Sequence, residues 1–204
     1  MKTFIWDLDG TLVDSYEIIT RNVHQVVKEH LNLSQEDIFK RITDASISGF
    51  FREEAKKNNL SLEALYNAYM SVDDGVVSSE YHLIRGCKDI LELLQQQGHQ
   101  HFIYTHRGLA TLEIIKANDI DHYFIEVVTS DNGFRRKPES EALDYLIEKY
   151  DLDKSNTYYV GDRSLDVECG NIAGIKTIYF NEQGKSNYKA DYSIQSLKDI
   201  IKFI

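Results

Sequence analysis

Apolar positions follow a strand spacing first, then a helical spacing over a long block, and then alternate between the two. Residues 3–7 read as a strand, with Phe4-Ile5-Trp6 running straight into Asp7-Leu8-Asp9-Gly10-Thr11. Gly10 signals a turn, so the chain leaves the strand near Leu8. Asp14-Ser15 reads as a helix cap, and Ile18, Ile19, Val23, Val26, Val27 and Leu31 follow on one helix face. Ser34, with Asp37 beyond it, opens another helix in the manner of a capping box. Phe50, Phe51 and Ala55 mark a third helix. Ser61 caps a fourth, which carries Leu62, Leu65, Tyr66, Tyr69 and Met70 on one face. No strand pattern interrupts residues 15–80.

Strict alternation follows. Cys87, Ile90, Leu91 and Leu94 lie on a helix ended by Gly98, and His101-Phe102-Ile103-Tyr104 forms a strand running into Thr105. A helix over 109–117 precedes a strand at 125–128, and Pro138 is expected in the first turn of the next helix. Tyr158-Tyr159-Val160 is a strand running into Gly161-Asp162, and a helix over 165–173 ends at Gly174. A strand at 177–180 follows, with a last short strand near Tyr192 and a C-terminal helix. Repeated strand–helix units predict an α/β fold with a parallel sheet and helices on both faces. Residues 1–14 and 81–204 make this core, and residues 15–80 form a small all-helical domain inserted after the first strand.

Composition narrows the class. The chain has 204 residues, 42% hydrophobic and 27% charged, which is ordinary for a globular protein. A formal charge of −10 argues against non-specific nucleic-acid binding. Cys87 and Cys169 give neither a disulfide framework nor a zinc pair, and read as two thiols in a reducing cytosol. No apolar run approaches the roughly 20 residues that span a bilayer. With Asp7 so close to Met1, no signal peptide fits. The expectation is a cytoplasmic protein without a membrane partner, monomeric or homodimeric.

In an open parallel sheet, ligands bind beyond the C-terminal strand ends. Those ends supply Asp7 and Asp9, then Thr105 followed by His106 and Arg107, then Arg135-Arg136-Lys137-Pro138, and finally Gly161-Asp162-Arg163-Ser164-Leu165-Asp166. Acids buried at a strand end are costly unless they hold a cation or face an open site.

With these elements in this order, the chain closely resembles the haloacid dehalogenase superfamily of hydrolases, along its whole length. The matching elements are Asp-Leu-Asp-Gly-Thr at 7–11, Thr105, Lys137 before Pro138, and Gly-Asp-x-x-x-Asp at 161–166. The insert at 15–80 resembles the helical cap of one branch, and the run at 9–15 is similar to the phosphoglycolate phosphatase group. The resemblance implies a Rossmann-like core and a Mg²⁺-dependent phosphatase acting on a small phosphorylated metabolite through an aspartyl phosphate. Asp7 is then the nucleophile, and Asp9 the acid that protonates the leaving alcohol and later deprotonates water. Mg²⁺ is expected on the side chains of Asp7, Asp162 and Asp166 and on the main-chain carbonyl of Asp9, an oxygen set that suits this ion. Thr105 and Lys137 hold the phosphoryl oxygens.

Two positions depart from the family pattern. His106 stands where Asn is common, and is a candidate substrate contact or a polar helix-entry residue. Arg163 follows Asp162 where small residues are usual; with Arg107, Arg135 and Arg136 it is a candidate grip for a second anionic group. In the insert, Arg52 is a candidate for the far end of the substrate, whereas Phe50 and Phe51 read as core. Trp6 reads as core on the strand face opposite Asp7. Two alternatives stand beside the phosphatase: a sugar phosphomutase of the β-phosphoglucomutase type, and a non-catalytic module that holds a phospho-ligand. Asp9 argues against dehalogenation, because halide departure needs no proton.

Overall fold

The computed structural model describes residues 1–44, 46–73, 75–187 and 189–203, without the side chain of Asp44. The chain divides into two compact units, residues 1–14 with 82–204, and residues 15–81.

The larger unit is built on a six-stranded sheet of β1 (Thr3–Trp6), β4 (Gln100–Tyr104), β5 (Glu126–Val128), β6 (Thr157–Gly161), β7 (Lys176–Phe180) and β8 (Tyr192–Ile194). Its order is β5-β4-β1-β6-β7-β8, and every pairing is parallel. The chain moves outward from β1 through β4 to β5, then returns to β6 on the other side of β1. The reversal of strand order therefore falls at β1, the position at which open α/β sheets form their ligand crevice. β1 is buried along its whole length, as a central parallel strand covered on both faces must be.

Strand alternation sorts the side chains. Ile5, Phe102, Tyr104 and Tyr159 share one face with residues of α7 (Glu141–Tyr150) and α8 (Ser164–Ala173). On β1, Phe4 and Trp6 alternate with Ile5; Phe4 stacks on Trp6 and Tyr158, with centroids 5.8 and 5.3 Å away. Trp6 is fully buried, and its indole N–H donates to His101 Nδ1 at 3.1 Å. Burial pushes His101 down to about 4, which keeps this acceptor neutral. α5 (Cys87–Gln96) packs on β4, and α6 (Ala110–Ala117) connects β4 to β5.

Three features depart from the sequence pattern. A two-residue antiparallel pair, β2 (Val13–Asp14) with β3 (His82–Leu83), joins the two crossings of the chain beside the insert, and it is too short for a periodicity to reveal. Pro138 lies in a turn before α7 rather than in its first turn, and its bond to Lys137 is cis. The segment Leu197–Phe203 is a 3-10 helix, with Asp199 N–H bonded to the Ser196 carbonyl at the i→i+3 spacing.

The smaller unit holds α1 (Tyr16–Val27), α2 (Gln35–Asp44), α3 (Ile47–Asn58) and α4 (Leu62–Asp73). Tyr81 belongs to it, one residue beyond the boundary expected from sequence, because its hydroxyl donates to Asp73 Oδ1 at 3.3 Å. Ser34 and Asp37 form the reciprocal cap expected of them, with the Asp37 N–H donating to Ser34 Oγ at 3.1 Å. Ser61 Oγ accepts the Ala64 N–H. Ile19, Val23, Phe50, Phe51, Leu65 and Tyr69 share the core. Met70 does not; it is 49% exposed, because the buried stripe of α4 runs through Leu65 and Tyr69. Glu54 is buried in this unit and is compensated by Arg41 at 2.6 Å and Asn58 at 2.7 Å. Phe51 is fully buried, with Tyr66 and Tyr69 packed against its ring. Phe51→Ala is expected to destabilise the protein by about 3–5 kcal/mol, read as a shift of the urea unfolding transition.

Candidate active site

Each side chain at the crevice is delivered by a strand end or by the loop that follows. The Asp7 N–H donates to the Val160 carbonyl at 2.8 Å, which extends the β1–β6 ladder one step beyond the strand. The chain then turns at Gly10, whose φ of +80° is costly for a residue with a Cβ. Asp7 is buried and Asp9 is partly exposed. At the end of β6, Gly161 passes so close to α8 that a Cβ there would collide with the Asp166 side chain. The Asp166 carboxylate accepts the Arg163 N–H at 3.1 Å and is buried at the first turn of α8, where a negative charge is favoured.

Lys137 links these elements. Its Nζ donates to Asp7 Oδ1 at 2.6 Å and to Asp166 Oδ1 at 2.8 Å, with all three side chains buried. The ammonium also lies 4.9 Å from the Tyr104 ring centroid and 5.2 Å from that of Tyr159. The Tyr159 hydroxyl donates to Asp166 Oδ1 at 3.3 Å. Burial works against the charge of Lys137, but Asp166 and Asp7 outweigh it and hold its pKa above the ordinary value. Burial lifts Asp7 to about 7; Lys137 opposes that rise, while Asp166 and Asp9 add to it.

Asp7, Asp162 and Asp166 each offer a carboxylate oxygen, and these oxygens lie within 4.8 Å of one another. Oxygen-only ligands in a cluster rich in negative charge fit a hard divalent cation better than a soft one. Thr11 Oγ1 donates to Asp162 Oδ1 at 3.4 Å. The Asp9 carboxylate is turned to Arg107: Nε lies 3.2 Å from each oxygen and Nη2 lies 2.9 Å from Oδ1. This two-pronged contact fixes the plane of the carboxylate. Thr105 is buried at the end of β4, and its Oγ1 accepts the Arg107 N–H at 3.1 Å. The Lys137 main-chain N–H donates to His106 Nε2 at 2.8 Å.

Asp7, Lys137, Asp162 and Asp166 therefore come together, with Asp9 and Thr105 linked through Arg107. His106 contacts the Lys137 main chain. Arg52 is exposed on α3 of the helical unit. Arg107 and Arg135, read from sequence as possible grips for a second anion, are held by carboxylates of the chain: Arg107 by Asp9, and Arg135 by Glu139 and Glu141. From the sequence, Tyr104 and Tyr159 read only as strand positions, and Thr11 only as part of the Asp-Leu-Asp-Gly-Thr match with no role of its own. For the tyrosines a signal exists in hindsight, since both lie on central strands with their rings on the Ile5 face, Tyr104 at the end of β4 and Tyr159 within β6.

The raised Asp7 pKa has a consequence for stability. Protonated Asp7 favours the fold. That contribution is complete below the ordinary value of 3.8 and is lost as pH rises through about 7. With a chelator present, the unfolding temperature of the native protein relative to Asp7→Asn is therefore expected to be lower at about pH 8 than at about pH 5, because only the native protein carries the buried Asp7 charge at the higher pH. Equal differences at both pH values would contradict this.

The family model for haloacid dehalogenase-like hydrolases matches residues 4–180. A pyrophosphatase PpaX of Bacillus mycoides (strain KBAB4) is 26% identical over 212 residues, covering 100% of this chain and 97% of the relative. A phosphoglycolate phosphatase of Aliivibrio fischeri is 27% identical over 192 residues, covering 85% of this chain and 81% of its own. The crystal structure of a hydrolase from Streptococcus pneumoniae TIGR4 superimposes with a TM-score of 0.62 at 33% identity, covering 87% of this chain and 92% of that one. With the family match extending from β1 to the end of β7, across every strand end that supplies the crevice, the chain belongs to the haloacid dehalogenase-like hydrolases.

Proposed function

We propose that this protein is a Mg²⁺-dependent phosphatase that hydrolyses a small phosphorylated metabolite through a phosphoryl group carried on Asp7. The observation that supports this most is the buried Lys137 ammonium shared by Asp7 and Asp166 within a set of three clustered carboxylates. The names of the two curated relatives, a pyrophosphatase and a phosphoglycolate phosphatase, point to the same class of chemistry.

Asp7 is assigned as the nucleophile: a carboxylate oxygen forms a bond to phosphorus as the bond to the leaving oxygen breaks. Asp9 donates a proton to that leaving oxygen, then accepts one from the water that attacks the acyl phosphate, so that inorganic phosphate leaves and Asp7 is restored. Arg107 fixes the plane of the Asp9 carboxylate for both transfers. Lys137 and the Thr105 hydroxyl offset the repulsion between a phosphate dianion and an acidic site. The Asp7, Asp162 and Asp166 side chains with the Asp9 carbonyl would hold Mg²⁺, which supplies charge neutralisation of the phosphoryl oxygens when bound. Residues 15–81 we assign as the cap that sets specificity, with Arg52 as its candidate contact.

Phosphate release from a panel of small phosphate compounds tests the assignment. Activity is expected with Mg²⁺ and not with excess chelator. Asp7→Asn is expected to lower kcat by about a thousandfold or more, and Asp9→Asn by about a hundredfold or more. Undiminished activity in Asp7→Asn would reject the nucleophile. Isomerisation of a sugar phosphate without phosphate release would assign a mutase instead, and binding without turnover a non-catalytic module.

A further inference from the structure

Lys137 is carried on residues 133–140, a stretch without regular secondary structure between a short 3-10 turn and α7. An ammonium aimed from such a segment needs its main chain held. Within the stretch, the Glu139 N–H returns to the Arg136 carbonyl, and the Arg135 N–H is taken by Glu141. The main-chain N–H of Lys137 itself is taken by the His106 ring, whose Nε2 accepts it at 2.8 Å from a point 31 residues earlier in the chain. With Nε2 accepting, the ring proton is on Nδ1.

The ring is itself fixed. The Tyr104 ring meets it edge-on, with centroids 6.1 Å apart, and the Arg136 guanidinium reaches the His106 carbonyl at 3.5 Å. Burial first, and then the positive charges of Lys137, Arg136 and Arg163, push His106 down to about 2, so it stays a neutral acceptor. His106 is not the entry cap of the following helix, because α6 begins only at Ala110.

We infer that His106 is a positioning residue: by accepting the Lys137 N–H it fixes the backbone from which the Lys137 ammonium reaches Asp7 and Asp166. The inference rests on the role given to Lys137 under the proposed function. It replaces the substrate contact considered for His106 from the sequence, because the ring nitrogen that would meet a substrate donor is already bonded to the chain. Gln is the side chain that carries a neutral acceptor about as far out as Nε2, and Leu keeps the bulk without the acceptor.

The test uses the full chain with Mg²⁺ and para-nitrophenyl phosphate. It compares His106→Leu and His106→Gln in the native background, and His106→Leu again in Lys137→Ala. Thermal unfolding checks that each variant folds, and NMR hydrogen exchange reads the amide of residue 137. His106→Leu is expected to lower kcat roughly tenfold to a hundredfold with little change in KM, because a small misplacement of a charge at the reacting group is felt mainly in the chemical step. His106→Gln is expected to recover most of that loss. In Lys137→Ala, His106→Leu is expected to cost less than about threefold more, since two residues acting through one group are not additive. The amide of residue 137 is expected to exchange faster in the Leu variant than in the native or Gln protein. An unchanged kcat in His106→Leu, or the same fold-loss with and without Lys137, would overturn the inference. If the native protein hydrolyses no phosphate compound at all, it is the phosphatase reading that fails. The amide exchange then decides the brace alone: faster exchange in the Leu variant supports it, and unchanged exchange overturns it.

Discussion

One buried ammonium holds the candidate site together. Lys137 Nζ lies between Asp7 at the end of β1 and Asp166 on α8, in a place where either carboxylate alone would be strongly unfavourable. The three charges are tolerable only as a set. Removing the lysine leaves two buried carboxylates facing each other, and removing either acid leaves the ammonium with half its compensation. The packing around them serves this set: Tyr104 and Tyr159 bring their rings up to the ammonium, and Gly161 leaves the room that the Asp166 side chain occupies. Three carboxylate oxygens close together beside one ammonium still form an acidic cluster, which a divalent cation would complete.

The loop after β4 gives three consecutive residues three different tasks. Thr105 Oγ1 takes the Arg107 N–H and so shapes the turn, His106 takes the Lys137 N–H, and Arg107 grips Asp9. The geometry of Asp9, Lys137 and the loop is thus tied to one short segment. That segment sits next to β1, where the strand order reverses. Arg107 pairs with the neighbouring acid and so leaves Lys137 as the cation against Asp7. A site assembled this way places one carboxylate beside an ammonium and the other beside a guanidinium, although the two are only two residues apart in the chain.

The elements of the sheet were legible because buried parallel strands read as short apolar runs, and because each ends on the residue that changes chemistry: Asp7 after Trp6, Thr105 after Tyr104, Gly161 after Val160. Asp7, Thr105 and Asp162 were legible for the same reason, whereas Lys137, in the irregular stretch before α7, was legible through the family resemblance. Their pairings were not. Arg107 meets Asp9 across 98 residues, and the His106 ring meets Lys137 across 31, and no local pattern encodes contacts of that range. Pro138 was misplaced because a proline before a helix and a proline in its first turn look alike until the backbone is seen. Met70 was misplaced because a helical stripe is drawn more widely by spacing than by packing.

The most direct test of the account is to find where the phosphoryl group goes. Native protein turning over a phosphate ester with Mg²⁺ should be quenched rapidly in acid and digested, and the phosphorylated peptide located by mass spectrometry. The account predicts a phosphoryl group on Asp7. Steady turnover with the phosphoryl group on another residue, or with none trapped at any time before the steady state, would contradict it.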